Sequence, residues 1–112
     1  MLPAAVRIFV CTVPQDMRRS FDSLALVVRE HLGTDPQNGA LFVFVGKRLT
    51  RVKVLWWDRN GYCLLYKRLH RAIFEVPLGA PAGNAAIRID GGALAQLLAG
   101  VARESQRKKL DA

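Results

Sequence analysis

Residues 41–69 read LFVFVGKRLTRVKVLWWDRNGYCLLYKRL, and this stretch sets the architecture. It holds three runs rich in Val, Phe, Trp, Tyr and Leu, namely Leu41–Val45, Arg51–Trp57 and Tyr62–Arg68, each bounded by turn formers. β-branched and aromatic residues suit a pleated, half-buried surface, so each run predicts a strand. The link Asp58-Arg59-Asn60-Gly61 predicts a tight hairpin, with Asp opening a type I turn and Gly61 taking the left-handed position of a bulge. Gly46-Lys47-Arg48-Leu49-Thr50 predicts a looser hairpin with a basic tip. Ala72–Val76 is a further candidate strand. The result is an antiparallel meander.

Side chains alternate across a strand. Val52, Val54 and Trp56 therefore share one face, and Arg51, Lys53, Leu55 and Trp57 the other. In the next run Tyr62, Leu64 and Tyr66 face away from Cys63, Leu65 and Lys67. One face is expected to pack on a helix, and the opposite face to mix aromatic and basic groups.

Upstream, Arg7–Thr12 reads as a short strand stopped by Val13-Pro14. Asp16 offers an N-cap, after which Met17, Phe21, Leu24, Val28 and Leu32 recur at helical spacing up to Gly33. This predicts an amphipathic helix over 17–32, with Arg18 and Asp22 paired four residues apart on its polar face. Thr34 to Gly39 is dense in turn formers. Downstream, PLGAPAG (77–83) is a loop, Ala86–Ile89 a short strand, and Asp90 caps a second helix over 91–100 with Leu94, Leu97, Leu98 and Val101 as its stripe. The fold class is α+β: a meander of three to five short strands packed on the helix at 17–32, with a second short helix near 91–100. One domain is expected, with an ordered core over about 4–101 and a frayed basic tail at 103–112.

Composition removes several classes. The chain has 112 residues, 51% of them hydrophobic, which is too apolar for a disordered chain. Its longest apolar runs fall far short of the roughly 20 residues that a membrane span needs. The apolar start lacks a basic leader region and is interrupted by Arg7, so it does not read as a signal peptide. Two cysteines, Cys11 and Cys63, without CxxC spacing suit a reducing cytoplasm.

The formal charge of +8 is concentrated. Residues 1–46 sum to zero, residues 47–71 to +7 and residues 72–112 to +1. The block consists of Lys47, Arg48, Arg51, Lys53, Arg59, Lys67, Arg68 and Arg71 against Asp58 alone. Clustered charge of one sign draws polyanions, chiefly nucleic acid, whereas a merely solubilising surface disperses its charges. Those eight cations are the candidate DNA-binding residues. Trp57, Arg18 and Arg19 are candidate partner-binding residues, because Trp and Arg dominate interface hot spots.

Signals for catalysis are weak. His31 and His70 lack an obvious Ser or Cys partner, and neither cysteine has zinc-ligand spacing. Gly91-Gly92 lacks the lysine of a phosphate loop. Asp16, Asp22 and Asp58 are the carboxylates a two-metal nuclease could use, but Asp16 reads as a cap and Asp58 as a turn residue. The expectation is therefore no enzyme, no catalytic residues, no metal and no cofactor.

The segments DMRRSFDSL (16–24) and LFVFVGKRLTRVKVLWWDRNGYCLLYKRL (41–69) resemble the accessory proteins encoded by the second open reading frame of insertion-sequence-66 transposons, the TnpB family. The resemblance runs from about Pro3 to Gly100 and includes the runs LFVF-x-G-K-R, K-V-L-W-W-D-x-x-G and L-x-x-K-R-L in family order. It implies an auxiliary factor in bacterial transposition, acting beside a transposase and a second small accessory protein, and it carries over no catalytic residue. Where family members often have an acidic residue after the Lys-Arg pair, this chain has Leu49-Thr50, which leaves the hairpin tip more basic. Family tryptophans near Val76-Pro77 and Ala102-Arg103 have no counterpart here. Two functional expectations follow. The basic hairpin face binds DNA, or the same face docks the transposase or another accessory subunit.

Overall fold

The computed structural model describes residues 6–76 and 85–102. The predicted loop at 77–83 and the tail at 103–112 lie outside the described residues. In chain order the elements are β1 (Ile8–Cys11), α1 (Phe21–Glu30), β2 (Leu41–Val45), β3 (Arg51–Asp58), β4 (Gly61–Arg68), β5 (Ala72–Ile73), β6 (Ala86–Ile89), α2 (Gly91–Ala99) and β7 (Val101–Ala102).

The α+β expectation holds, and β2, β3 and β4 form the antiparallel meander. The sheet extends further than the meander, in the order β4-β3-β2-β1-β6. β1 runs parallel to β2, with Ile8 beside Leu41 and Val10 beside Val43, so α1 is the crossover of a βαβ unit. β6 closes the far side antiparallel to β1. The Ala72–Val76 run does not join this sheet. Only Ala72 and Ile73 are strand, and they pair with Val101 and Ala102 in a separate two-stranded ladder.

While the last half of β4, Leu65–Arg68, is exposed, both faces of the sheet carry a core. On one, Phe42, Phe44 and Leu55 meet Leu24, Ala25, Val27 and Val28 of α1. On the other, Val43, Val45, Val52 and Val54 meet Phe74 and Leu97, with Trp56, Leu94 and Leu98 around them. The expected aromatic and basic outer face is therefore a second core. Every residue of β2 is buried, which is why its sequence is apolar without alternation.

Local chemistry shifts several predicted boundaries. α1 begins after Ser20, not Asp16, and its cap amide donates to Ser23 Oγ at 2.9 Å. Asp16 instead folds onto its own neighbour, accepting the Arg18 amide at 2.9 Å and pairing with the Arg18 guanidinium at 2.6 Å. This draws Arg18 away from the expected Asp22 pair and leaves Met17 outside the helix, although Met17 still packs on the α1-side core. Phe21, predicted for the apolar stripe, is exposed. At the β3–β4 turn Asp58 pairs directly with Gly61, without a bulge. The positive φ falls on Arg59 (58°), and the Asn60 amide donates to the Asp58 carbonyl at 2.7 Å.

α2 begins where predicted. The Asp90 carboxylate accepts the Ala93 amide at 2.7 Å and stabilises the first turn. Asp90→Ala is expected to lower stability by about 1 kcal/mol, measurable as a lower urea midpoint at unchanged slope. The helix stops at Gly100, whose φ of +75° suits glycine and whose added Cβ would lie 2.6 Å from Leu69 Cδ1. That close approach lets the chain turn into β7 beneath the end of β4.

Candidate functional site

β1 and β2 end on the same side of the sheet, where β3 begins and β4 ends. Three loops converge there. The segment after β1 crosses this end, its Gln15 amide donating to the Val45 carbonyl at 2.9 Å. The Gly46–Thr50 loop joins β2 to β3, and the segment after β4 is held against it by Leu69 N–H to the Thr50 carbonyl at 2.8 Å and Phe74 N–H to the Leu49 carbonyl at 2.6 Å.

Between the first two loops lies a cleft of about 320 Å³, lined by Gln15, Asp16, Met17, Gly46, Lys47, Arg48, Thr50 and Arg51. Gly46 sits so close to Met17 that an added Cβ would fall 2.9 Å from Met17 Cγ. Lys47, Arg48 and Arg51 are exposed. Arg51 is directly opposite Arg68 in the β3–β4 ladder, two like charges side by side. Like charges so placed are destabilising. Among the described residues, no carboxylate lies within ion-pair distance of Lys47, Arg48, Arg51 or Arg68. Asp16, the acid at the cleft, is already engaged. Hydrogen bonds from the Arg18 guanidinium and amide hold its carboxyl far below the usual carboxylate range. What remains at this end is unbalanced positive charge beside a concavity.

The structure divides the predicted site residues. Lys47, Arg48, Arg51 and Arg68 gather at this end, and the exposed Arg71 follows in the segment leaving β4. Arg18 and Arg19 lie beside the same cleft, through Asp16 and Met17. Three of the eight cations belong elsewhere. Lys53 is only 6% exposed: its ammonium donates to the Arg19 carbonyl and sits 4.8 Å from the centre of the Tyr66 ring. It ties β3 to the loop before α1 and does not face a ligand. Lys67 points to the opposite face, where its ammonium donates to the Leu98 carbonyl at 2.7 Å, near the negative end of the α2 dipole. Arg59 lies at the other end of the eight-residue β3, roughly 25 Å away at about 3.3 Å per residue.

Trp57 is also at that far end, half-buried edge-on against Tyr62 with centroids 4.9 Å apart. Trp57, a candidate partner-binding residue, is thus set apart from the cluster of Lys47, Arg48, Arg51 and Arg68. Lys53→Met is expected to leave the salt dependence of any DNA binding unchanged, because the Lys53 ammonium is already engaged inside the protein. Salt titration of that variant checks the assignment of Lys53 to the interior.

The three carboxylates of the nuclease alternative are not brought together. Asp16 is on Arg18, Asp22 lies in the first turn of α1, and Asp58 is at the far hairpin. Among the described residues no three His, Cys, Asp or Glu side chains are grouped to share a metal ion. Cys11 is buried, donates to the Val13 carbonyl at 3.4 Å, and has its thiol pKa pushed up by that burial. Among the described residues no helix is long and apolar enough to cross a membrane.

Sequence reasoning missed Gln15, Met17, Gly46 and Thr50 as parts of one cleft. The available signal is the glycine that follows a fully apolar strand, together with the polar break after Val13-Pro14. Both mark loops at strand ends on one side of a parallel pair, where ligand sites of mixed sheets gather.

Known proteins resemble the chain over most of its length. Two of them are from Sinorhizobium fredii (strain NBRC 101917 / NGR234). The uncharacterized protein y4hO is 44% identical over 103 residues, covering 90% of this chain and 87% of its own. The uncharacterized protein y4jC is 34% identical over 96 residues, covering 86% and 80%. No solved structure matches the chain. The family described as IS66 Orf2 like protein matches residues 6–108, a span that holds both α1 and the whole sheet. The chain belongs to this IS66 Orf2-like family, and that membership implies an accessory role in transposition.

Proposed function

We propose that the protein is a non-catalytic accessory factor that contacts DNA through the sheet end bearing Lys47, Arg48, Arg51 and Arg68. The observation that carries this reading is the Arg51–Arg68 cross-strand pair beside the Lys47-Arg48 loop. A fold gains nothing from opposing two arginines, and a phosphate placed between them turns the repulsion into two charge-assisted hydrogen bonds. Arg71 and Arg19 extend the same surface at its margins. Cytoplasmic residence and work beside the transposase and a second small accessory protein accompany this reading.

The test is fluorescence anisotropy across a salt series, with a duplex carrying the element's terminal repeat and a scrambled duplex of equal length. The reading expects binding whose logarithm falls linearly with the logarithm of salt. Tighter binding to the repeat makes the protein a reader of transposon ends, and equal binding makes it a non-specific clamp. Absence of binding to both overturns the DNA reading and leaves the basic end as a docking surface for an acidic face of the transposase. A pull-down of transposase that survives nuclease is the matching result for that adaptor role.

A further inference from the structure

The cleft is more than a charged surface, because a concavity of about 320 Å³ is too small to admit a duplex. Duplex DNA is met by side chains or elements that protrude into its grooves or along its backbone. A concave site with a cationic rim and an apolar wall is what a single unpaired nucleotide requires, since its phosphate is anionic and its base is flat and apolar on both faces. The cleft beside the Gly46–Thr50 loop has that division. Lys47, Arg48 and Arg51 supply the cations, Gln15 and Thr50 supply neutral polar groups, and Met17 over the bare backbone of Gly46 supplies the apolar wall. Its volume of about 320 Å³ falls at the small end of the roughly 300–1,000 Å³ range of ligand pockets, which suits one nucleotide and not a duplex. The single acid on its lining, Asp16, is occupied by Arg18.

We propose that this cleft takes one unpaired nucleotide at a DNA end, with its phosphate on Lys47, Arg48 and Arg51 and its base against Met17. The inference rests on the DNA-binding reading and goes beyond it, because it names the strand state the protein recognises: a frayed or single-stranded terminus in preference to a blunt one.

The chain has two methionines, Met1 and Met17, so the full-length protein with 13C-methyl methionine carries one reporter on the cleft wall. The probes are a blunt duplex, the same duplex with a short 5′ single-stranded overhang, and inorganic phosphate. The expected result is a saturable Met17 methyl shift with the overhang probe and little with the blunt one. Anisotropy should show tighter binding to the overhang by about tenfold, the value of one charge-assisted hydrogen bond. Gly46→Ala, which forces Met17 to move, should erase that preference. The double variant Lys47→Gln, Arg48→Gln changes only exposed side chains and should lower overhang affinity more than blunt affinity.

Equal binding of both duplexes with Met17 unmoved overturns the cleft assignment and leaves DNA binding standing. A Met17 shift as large with inorganic phosphate alone as with the overhang also overturns it, reducing the cleft to a simple anion site. Failure to bind either duplex overturns both readings.

Discussion

Phe74→Ala is expected to lower the unfolding free energy by about 3–5 kcal/mol, the cost of emptying a fully buried aromatic site. Phe74 lies outside every helix and strand, yet it has no exposed surface and sits at the centre of the second core with Val52, Val54 and Leu97. Its amide also donates to the Leu49 carbonyl, so the segment after β5 is fixed at both backbone and side chain. Truncation would leave a cavity between sheet and α2 that neither can close, because α2 runs directly out of the sheet strand β6 at its start and is held at its end by Lys67. Urea unfolding followed by tryptophan fluorescence measures the loss, since Trp56 packs on the same cluster. Phe44→Ala, on the α1 side, should cost a similar amount. A cost below about 1 kcal/mol for Phe74→Ala, the level of an ordinary surface change, would show that this face of the sheet is not a core.

The triple variant Lys47→Ala, Arg48→Ala, Arg51→Ala is expected to cut the salt slope of DNA binding by roughly 0.9 for each phosphate these cations neutralise, from about 0.9 if they share one to about 2.7 if each meets its own. Its affinity at low salt should fall by about a thousandfold, with each charge-assisted hydrogen bond worth about tenfold. Stability should move the other way. Arg51 faces Arg68, and among the described residues no carboxylate pairs with either, so removing Arg51 relieves a like-charge pair worth about 0.2–1 kcal/mol. A variant that binds worse and melts no lower separates function from folding, and calorimetry beside the anisotropy series reads both. Arg59→Ala is the control. It removes one charge at the far end of the hairpin and should leave the slope of the proposed site intact. An unchanged slope in the triple variant, or a large change in Arg59→Ala, would move the DNA surface elsewhere.

Much of the architecture is legible in the chain because it is local. The alternation in Arg51–Trp57 and Tyr62–Arg68 marks a hairpin, and Asp90 before an apolar stripe marks α2. The stripe Met17, Phe21, Leu24, Val28 and Leu32 marks α1 but overruns both ends of Phe21–Glu30. Three residues, Asp16 to Arg18, form their own turn, and helical spacing cannot sense that competition. The parallel partnership of β1 and β2 is not legible, because pairing is chosen by which strand an element meets after the crossover. The unbroken apolar run of β2 does carry a clue, since a strand that faces water on one side alternates.

Read without its fold, the chain already places a basic block of +7 on a pair of β-hairpins and resembles the transposon accessory family. Which of those charges lie together is decided only when the elements pack. A hairpin folds positions 51 and 68 into register while it carries position 59 to the opposite end. Helix packing buries Lys53 and captures Lys67 on the α2 side. The loop after β1 then crosses the sheet end to build a cleft from Met17 and Gly46, residues far apart in the chain. Charge adds along a sequence, but a potential depends on distance, and distance is set when the sheet closes.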